Sequence, residues 1–120
     1  VLAAATLLKL PPSLAGRVAL LTHGSPLQRL YGRFFPAYFD ATQLDVLARR
    51  LPHWRNLWRR TDPIGGPIDA VERHEPLRDP EQFFPTNYEV AYPPVRWHLD
   101  YPLDRRYGDE LADAAAAVRV

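Results

Sequence analysis

The chain has 120 residues and a formal net charge of +1, with 15 basic side chains against 14 acidic ones. That balance gives no electrostatic case for nucleic acid or acidic lipid as a partner, and a hydrophobic share of 47 % sets the chain apart from disordered sequences. Cysteine is absent, which excludes a disulfide framework and thiolate chemistry.

Residues 1–10 are apolar nearly all round, with Thr6 and Lys9 the only polar members. This pattern predicts a helix buried on most sides, ended by Pro11 and Pro12. Lys9 is also the only lysine; the preference for arginine reads as the codon bias of a GC-rich genome rather than as phosphate recognition. A chain that opens inside such a helix, without methionine, is expected to be part of a longer protein. The apolar stretch is too short to span a bilayer, which takes about 20 residues, and it lacks the basic region of a signal peptide. A membrane anchor, if the parent has one, is expected outside this chain.

A short turn over residues 13–16 leads to the apolar run 18–21, the pattern of a parallel strand covered on both faces. His23-Gly24-Ser25-Pro26 then breaks it. Residues 27–34 suit a short helix that stops near Pro36. Asp40 with Gln43 resembles a capping box, and Leu44, Leu47, Ala48 and Leu51 form one apolar helical face. Residues 54–59 read as a strand, and residues 61–67 as a loop. The proline-rich stretch 69–96 is expected to be irregular, with one short strand around 71–74. Trp97-His98-Leu99-Asp100-Tyr101 precedes a last helix, in which Tyr107, Leu111, Ala115 and Val118 share a face. The order of elements predicts an α/β fold.

Open α/β sheets place their sites at the carboxyl ends of strands. Two loops have that position, 23–26 and 62–66, and His98 lies in a third. A hydrolytic triad needs an acid that orients an imidazole and an imidazole that takes the nucleophile's proton. Asp62 is a candidate acid and His98 a candidate base. The competing reading makes Asp62 a turn starter that caps local N–H groups, and makes His98 a histidine packed beside Trp97. His74 is a rival base, and Asp69 and Asp79 are rival acids. His74 sits in a charged run that suits a solvated face. His23 reads as structural or as lining the pocket, and His53 as a cation at a helix end. No spacing of histidines and carboxylates suits zinc. Ser25 is a poor nucleophile: Pro26 removes the N–H that would serve an oxyanion hole, and Leu27 stands where an elbow needs a small residue.

Arg49, Arg50, Arg55, Arg59 and Arg60 interleave with Trp54 and Trp58, a mixture used in single-strand nucleic-acid binding. The overall charge balance favours a fold-internal role for these arginines. Tyr31, Phe34, Phe35, Tyr38 and Phe39 crowd around Pro36; core packing, an acyl pocket, a lid and a membrane-touching surface all remain open for them.

Three motifs carry a family resemblance. Residues 18–27 (VALLTHGSPL) look like the strand and G-S-P turn that follow the nucleophile helix in lipase-like α/β-hydrolases. Residues 55–65, from Arg55-Asn56-Leu57 to Asp62-Pro63-Ile64, are similar to the strand ending in the triad aspartate. Residues 97–101 resemble the loop bearing the triad histidine. The likeness extends to uncharacterised actinobacterial membrane-associated proteins with a lipase-like domain. It implies that residues 1–120 are the C-terminal portion of an α/β-hydrolase, a parallel sheet flanked by helices. It also implies that Asp62 and His98 supply the acid and base of a serine esterase or lipase acting on a small-molecule or lipid ester. No metal or organic cofactor is implied, and no nucleic acid. One departure is clear. No G-x-S-x-G occurs in these residues, so the nucleophile is expected upstream of Val1 and this chain alone is expected to be inactive. The alternative is a non-catalytic interaction or scaffold module on the same fold; a nucleic-acid binder is the third reading.

Overall fold

The computed structural model describes residues 1–68, the backbone of 86–89, and residues 98–118. It is a mixed helix and strand structure built on a small parallel sheet flanked by helices. The elements in chain order are α1 (Leu2–Lys9), α2 (Pro12–Ala15), β1 (Ala19–His23), a π-helical turn (Leu27–Gly32), α3 (Pro36–Phe39), α4 (Ala41–Arg50), β2 (His53–Trp58), β3 (Thr86–Glu89), a 3-10 turn (Tyr101–Leu103) and α5 (Arg105–Ala117).

The strands lie in the order β1-β2-β3. β1 pairs with β2 from Ala19 opposite His53 to His23 opposite Leu57, and β2 pairs with β3 from Arg55 opposite Thr86 to Trp58 opposite Glu89, both in parallel. Alternation along β2 divides its side chains between two layers. Trp54 joins the larger core, with Ala4, Leu7, Leu27, Leu44, Leu47 and Leu51. Leu57 joins a smaller cluster with Tyr101, against which Leu21 and Tyr107 pack. Thus α1 and α4 cover one face of the sheet and α5 the other.

Local chemistry explains α4. The Asp40 side chain accepts from the Gln43 N–H at 2.7 Å and the Gln43 side chain accepts from the Asp40 N–H at 2.8 Å, a complete capping box. Leu44, Leu47, Ala48 and Leu51 are buried, as their spacing requires. On the same face of the sheet runs a polar chain. Trp54 Nε1 donates to Thr22 Oγ1 at 3.1 Å, Thr22 Oγ1 donates to Asn56 Oδ1 at 2.8 Å, and Asn56 Nδ2 donates to the Gly66 carbonyl at 2.9 Å. Asn56 is wholly buried, so these bonds offset the cost of its desolvation. They also tie the loop after β2 to the sheet.

Several expectations need correction. α1 is buried on one side only: Ala4 and Leu7 are buried, while Leu2 is 85 % exposed. The helix packs chiefly on α4. β1 spans 19–23 rather than 18–21 and is half-buried, because it lies at an edge of the described sheet. Residues 13–16 include a helical turn, α2. Residues 27–32 wind as a wider π turn, in which the Pro26 carbonyl accepts from both Leu30 and Tyr31. His53 opens β2 rather than ending a helix. The face of α5 is rotated as well. Tyr107 and Val118 are half-buried as expected, but Glu110 and Ala114 are the buried positions between them, and Leu111 is 50 % exposed. The reason is electrostatic: strand alternation directs Arg55 toward α5, where its Nε lies 3.0 Å from Glu110 Oε2. Arg106 Nε donates to the other carboxylate oxygen at 2.8 Å. The expected strand at 71–74 lies outside the described residues, and β3, at 86–89, falls in the stretch expected to be irregular.

These burial patterns predict opposite outcomes for two leucines. Leu47→Ala should cost about 2–5 kcal/mol, the usual penalty for emptying a filled core site. Leu111→Ala should change stability by less than about 0.5 kcal/mol. Urea unfolding followed by tryptophan fluorescence measures both. Equal losses would mean that Leu111 is packed and the assigned α5 face is wrong.

Candidate functional site

The site is built at the carboxyl end of β2. The chain leaves the strand at Trp58, and the Asp62 N–H closes a turn on the Arg59 carbonyl at 3.1 Å. Asp62 Oδ1 then accepts from the backbone N–H groups of Ile64, at 2.9 Å, and Gly65, at 2.8 Å. This is the local role that aspartate before proline commonly takes. Oδ2 reaches elsewhere: it accepts from the Tyr101 hydroxyl at 2.9 Å, and it lies 3.0 Å from His98 Nδ1, which is also 3.1 Å from Oδ1. The turn-starter reading and the acid reading therefore describe one carboxylate whose two oxygens divide the work.

Asp62 is 1 % exposed. Burial by itself pushes its carboxyl up. The Gly65 N–H, His98, the Ile64 N–H and the Tyr101 hydroxyl together outweigh burial and hold the pKa below the usual aspartate value. The carboxylate is thus ionised and can only accept. His98 Nδ1 must carry the proton between them, which leaves Nε2 as the nitrogen free for chemistry. The same environment acts on Tyr101 in the opposite sense: burial and the Asp62 charge push its phenol well up, so it remains a donor.

The loop carrying His98 is fixed from beneath by Arg59, which is 1 % exposed. Its Nη1 donates to the Leu99 carbonyl at 2.7 Å and its Nη2 to the Asp100 carbonyl at 3.4 Å. The guanidinium lies over the Tyr101 ring, 4.1 Å from the centroid. Asp100 takes a left-handed conformation, φ 62°, which aspartate tolerates better than most residues. The two neighbouring turns are matched in shape. Gly24, at φ 52°, has no room for a side chain: a Cβ would meet Tyr101 at 2.9 Å, Asp62 Oδ2 at 3.0 Å and His98 Cε1 at 3.1 Å. At Gly65 a Cβ would stand 2.5 Å from Gly24 Cα. The His23-Gly24 turn therefore packs directly on the Asp62–His98 pair.

His23 stands beside this pair, with its ring centroid 5.3 Å from those of Tyr101 and Tyr107. Partial burial, the charge of His98 and the charge of Arg59 all lower its pKa. Ser25 is buried, and its Oγ accepts from the Leu27 N–H at 3.4 Å. His74, Asp69, Asp79 and Trp97 lie outside the described residues. Among the described residues no group of three or more potential metal ligands gathers, and no helix is long and apolar enough to cross a membrane.

Much of the arginine and tryptophan cluster has partners within the fold. Arg49 pairs with Asp45 at 2.9 Å, Arg55 pairs with Glu110, and Arg50 donates to the carbonyls of Leu8 and Leu10. Trp54 is buried. The aromatic segment divides. Phe39 is buried and its ring meets Tyr31 edge-on, whereas Phe34, Phe35 and Tyr38 are exposed. Compared with protein-family models, curated proteins and solved structures, the chain finds no match.

Arg59, Gly24 and Tyr101 stand in sequence motifs read for other reasons, and their contacts with the Asp62–His98 pair and its loop are not legible there; Arg29 stands in none. Tyr101 had a weak signal, three residues beyond His98. Arg29 had none: its Nη1 holds the carbonyls of Asp62, at 2.6 Å, and Gly65, at 2.7 Å, across 33 and 36 residues of chain.

Tyr101→Phe removes one donor from Asp62, so the Asp62 pKa should rise toward its unfolded value. The sign follows from linkage. A depressed carboxylate contributes stability that is present above its unfolded pKa and lost as pH falls through its folded pKa. The variant should lose about 1–3 kcal/mol near neutral pH, and less at pH values acidic enough to protonate Asp62. Carboxyl carbon NMR titration and acid unfolding curves measure this. An unmoved Asp62 titration would show that the Tyr101 hydroxyl does not serve the carboxylate.

Proposed function

We propose that this chain is the C-terminal portion of an α/β-hydrolase, and that it supplies the acid and the base of a serine ester hydrolase. The observation that carries the reading is the contact of His98 Nδ1 with both Asp62 oxygens, at 3.0 and 3.1 Å, at the carboxyl end of a parallel strand. An ionised aspartate bound at Nδ1 selects the imidazole tautomer whose Nε2 accepts a proton. It also stabilises the imidazolium that forms.

In this reading Asp62 orients His98. His98 Nε2 takes the proton of the attacking serine hydroxyl as general base, then returns it to the leaving alcohol as general acid. The same nitrogen activates water in the second half of the cycle. The serine is contributed by a G-x-S-x-G elbow that is not among these residues. Ser25 does not take its place, because its Oγ is buried against the Leu27 N–H and Pro26 follows it. Arg59 and Tyr101 act through the pair as positioning residues. The buried polar network around Asp62 favours this reading over a scaffold module. A scaffold gains little from an ionised carboxylate held at a half-exposed histidine, whose side chain is 39 % accessible.

The chain by itself should show no turnover of an activated ester such as a nitrophenyl butyrate. In the parent protein that carries the elbow serine, Asp62→Asn should lower turnover by about four orders of magnitude while the fold persists. Circular dichroism and steady-state kinetics on both proteins check this. Wild-type turnover in the asparagine variant would remove Asp62 from the mechanism. Ester hydrolysis by the chain alone, abolished in Ser25→Ala, would return the nucleophile to Ser25.

A further inference from the structure

A second feature lies on the other side of the Asp62 loop's sequence, at Pro63 and Ile64. These two residues, with Arg29, Leu30, Arg33 and Phe34, line a cavity of about 340 Å³. That is within the range of small-molecule sites. Its walls join two chemistries. Leu30, Phe34 and Ile64 are 39, 61 and 41 % exposed, apolar surface left in water. Two arginines share the lining, Arg29 on the π-helical turn and Arg33 at its C-terminal cap.

Neither arginine has a carboxylate partner among the described residues. Arg29 is fixed in place, because its Nη1 is held by the carbonyls of Asp62 and Gly65. Those acceptors are neutral, so they orient the cation without cancelling its charge. Arg33 is laid over the Phe34 ring, 5.4 Å from the centroid. The chain's overall charge is balanced, but this cavity is locally basic and locally apolar. A neutral ligand would leave the charges unanswered, and an inorganic anion would leave the apolar walls wet. A molecule that carries an anionic group on a hydrocarbon chain answers both.

We infer that the cavity formed by Arg29, Leu30, Arg33, Phe34, Pro63 and Ile64 binds a single-chain amphiphile with an anionic head, a carboxylate or a phosphate. The head lies between Arg29 and Arg33 and the chain lies on Leu30, Phe34 and Ile64. This site is independent of the hydrolase reading, since it uses neither His98 nor the side chain of Asp62.

The test is an amide NMR titration of the full chain with decanoate and with decyl phosphate, each below its micelle concentration. Decyl maltoside serves as the neutral amphiphile, and acetate and inorganic phosphate as heads without chains. Both anionic amphiphiles should shift the amides of residues 29–34 and 64–66 and bind about tenfold more tightly than decyl maltoside. The tighter of the two identifies the head group. Arg33→Gln should remove most of that advantage, and added salt should reduce it. Phe34→Ser should weaken all three amphiphiles. The His98 ring resonances, recorded in each variant, report whether the Asp62–His98 pair is intact, so loss of the ligand site and loss of the catalytic pair are read separately. Equal affinity for the neutral amphiphile, an unaltered preference in Arg33→Gln, tight binding of acetate or phosphate alone, or shifts centred on Leu14 or Leu111 would each overturn the inference.

Discussion

The Asp62 carboxylate is the constraint around which the described structure is arranged. A buried anion is costly unless hydrogen bonds replace its lost water, and here two backbone N–H groups, a phenol and an imidazole do so. Each donor comes from a different structural cause. The two N–H groups follow from the turn after Pro63. The phenol comes from the 3-10 turn at Tyr101, and the imidazole from the residues just before it. Removing the carboxylate would leave four donors facing one another, so the loops at 62–66 and 98–101 depend on it together.

The sheet supplies the rigidity that such a cluster needs. β2 is the central described strand, and its alternation sorts side chains into two tasks. Trp54 and Asn56 reach toward α1 and α4, and Asn56 ties down the Asp62 loop at Gly66. Arg55 and Leu57 reach toward α5 and Tyr101, which sets the floor beneath the histidine. A loop anchored on both faces of a sheet loses little further entropy when it presents a functional group. Arg29 and Arg59 extend this logic. Each is a cation that donates to backbone carbonyls of a site loop, so each helps to fix loop geometry.

Electrostatics explains where a hydrophobic pattern misleads. The periodicity of residues 107–118 points to Leu111 and Ala115 as the inner face of α5. The helix is instead turned so that Glu110 meets Arg55 and Arg106, and Tyr107 meets His23. A pattern of apolar residues counts hydrophobicity alone. It does not register that an arginine on the facing strand can draw a carboxylate inward. The opposite holds for α4, where capping chemistry and apolar spacing agree, and where the helix lies as the pattern indicates.

The sequence by itself determined the local features. The capping box at Asp40, the apolar face of α4, the strand read at 54–59 and found at 53–58, and the breaker-rich loops at 23–26 and 61–67 follow from interactions between near neighbours, which a linear pattern records. Asp62 and His98 were legible as candidates because turn chemistry and chain order singled them out. Their meeting across 36 residues, at 3.0 Å, was decided by tertiary structure. So were the contributions of Arg29, Arg59 and Tyr101, whose partners lie more than 30 residues away. The one-sided burial of α1 and the rotation of α5 belong to the same class. The physical reason is common to them all: a side chain's role depends on what faces it, and for these residues the facing group is brought in only when the sheet forms.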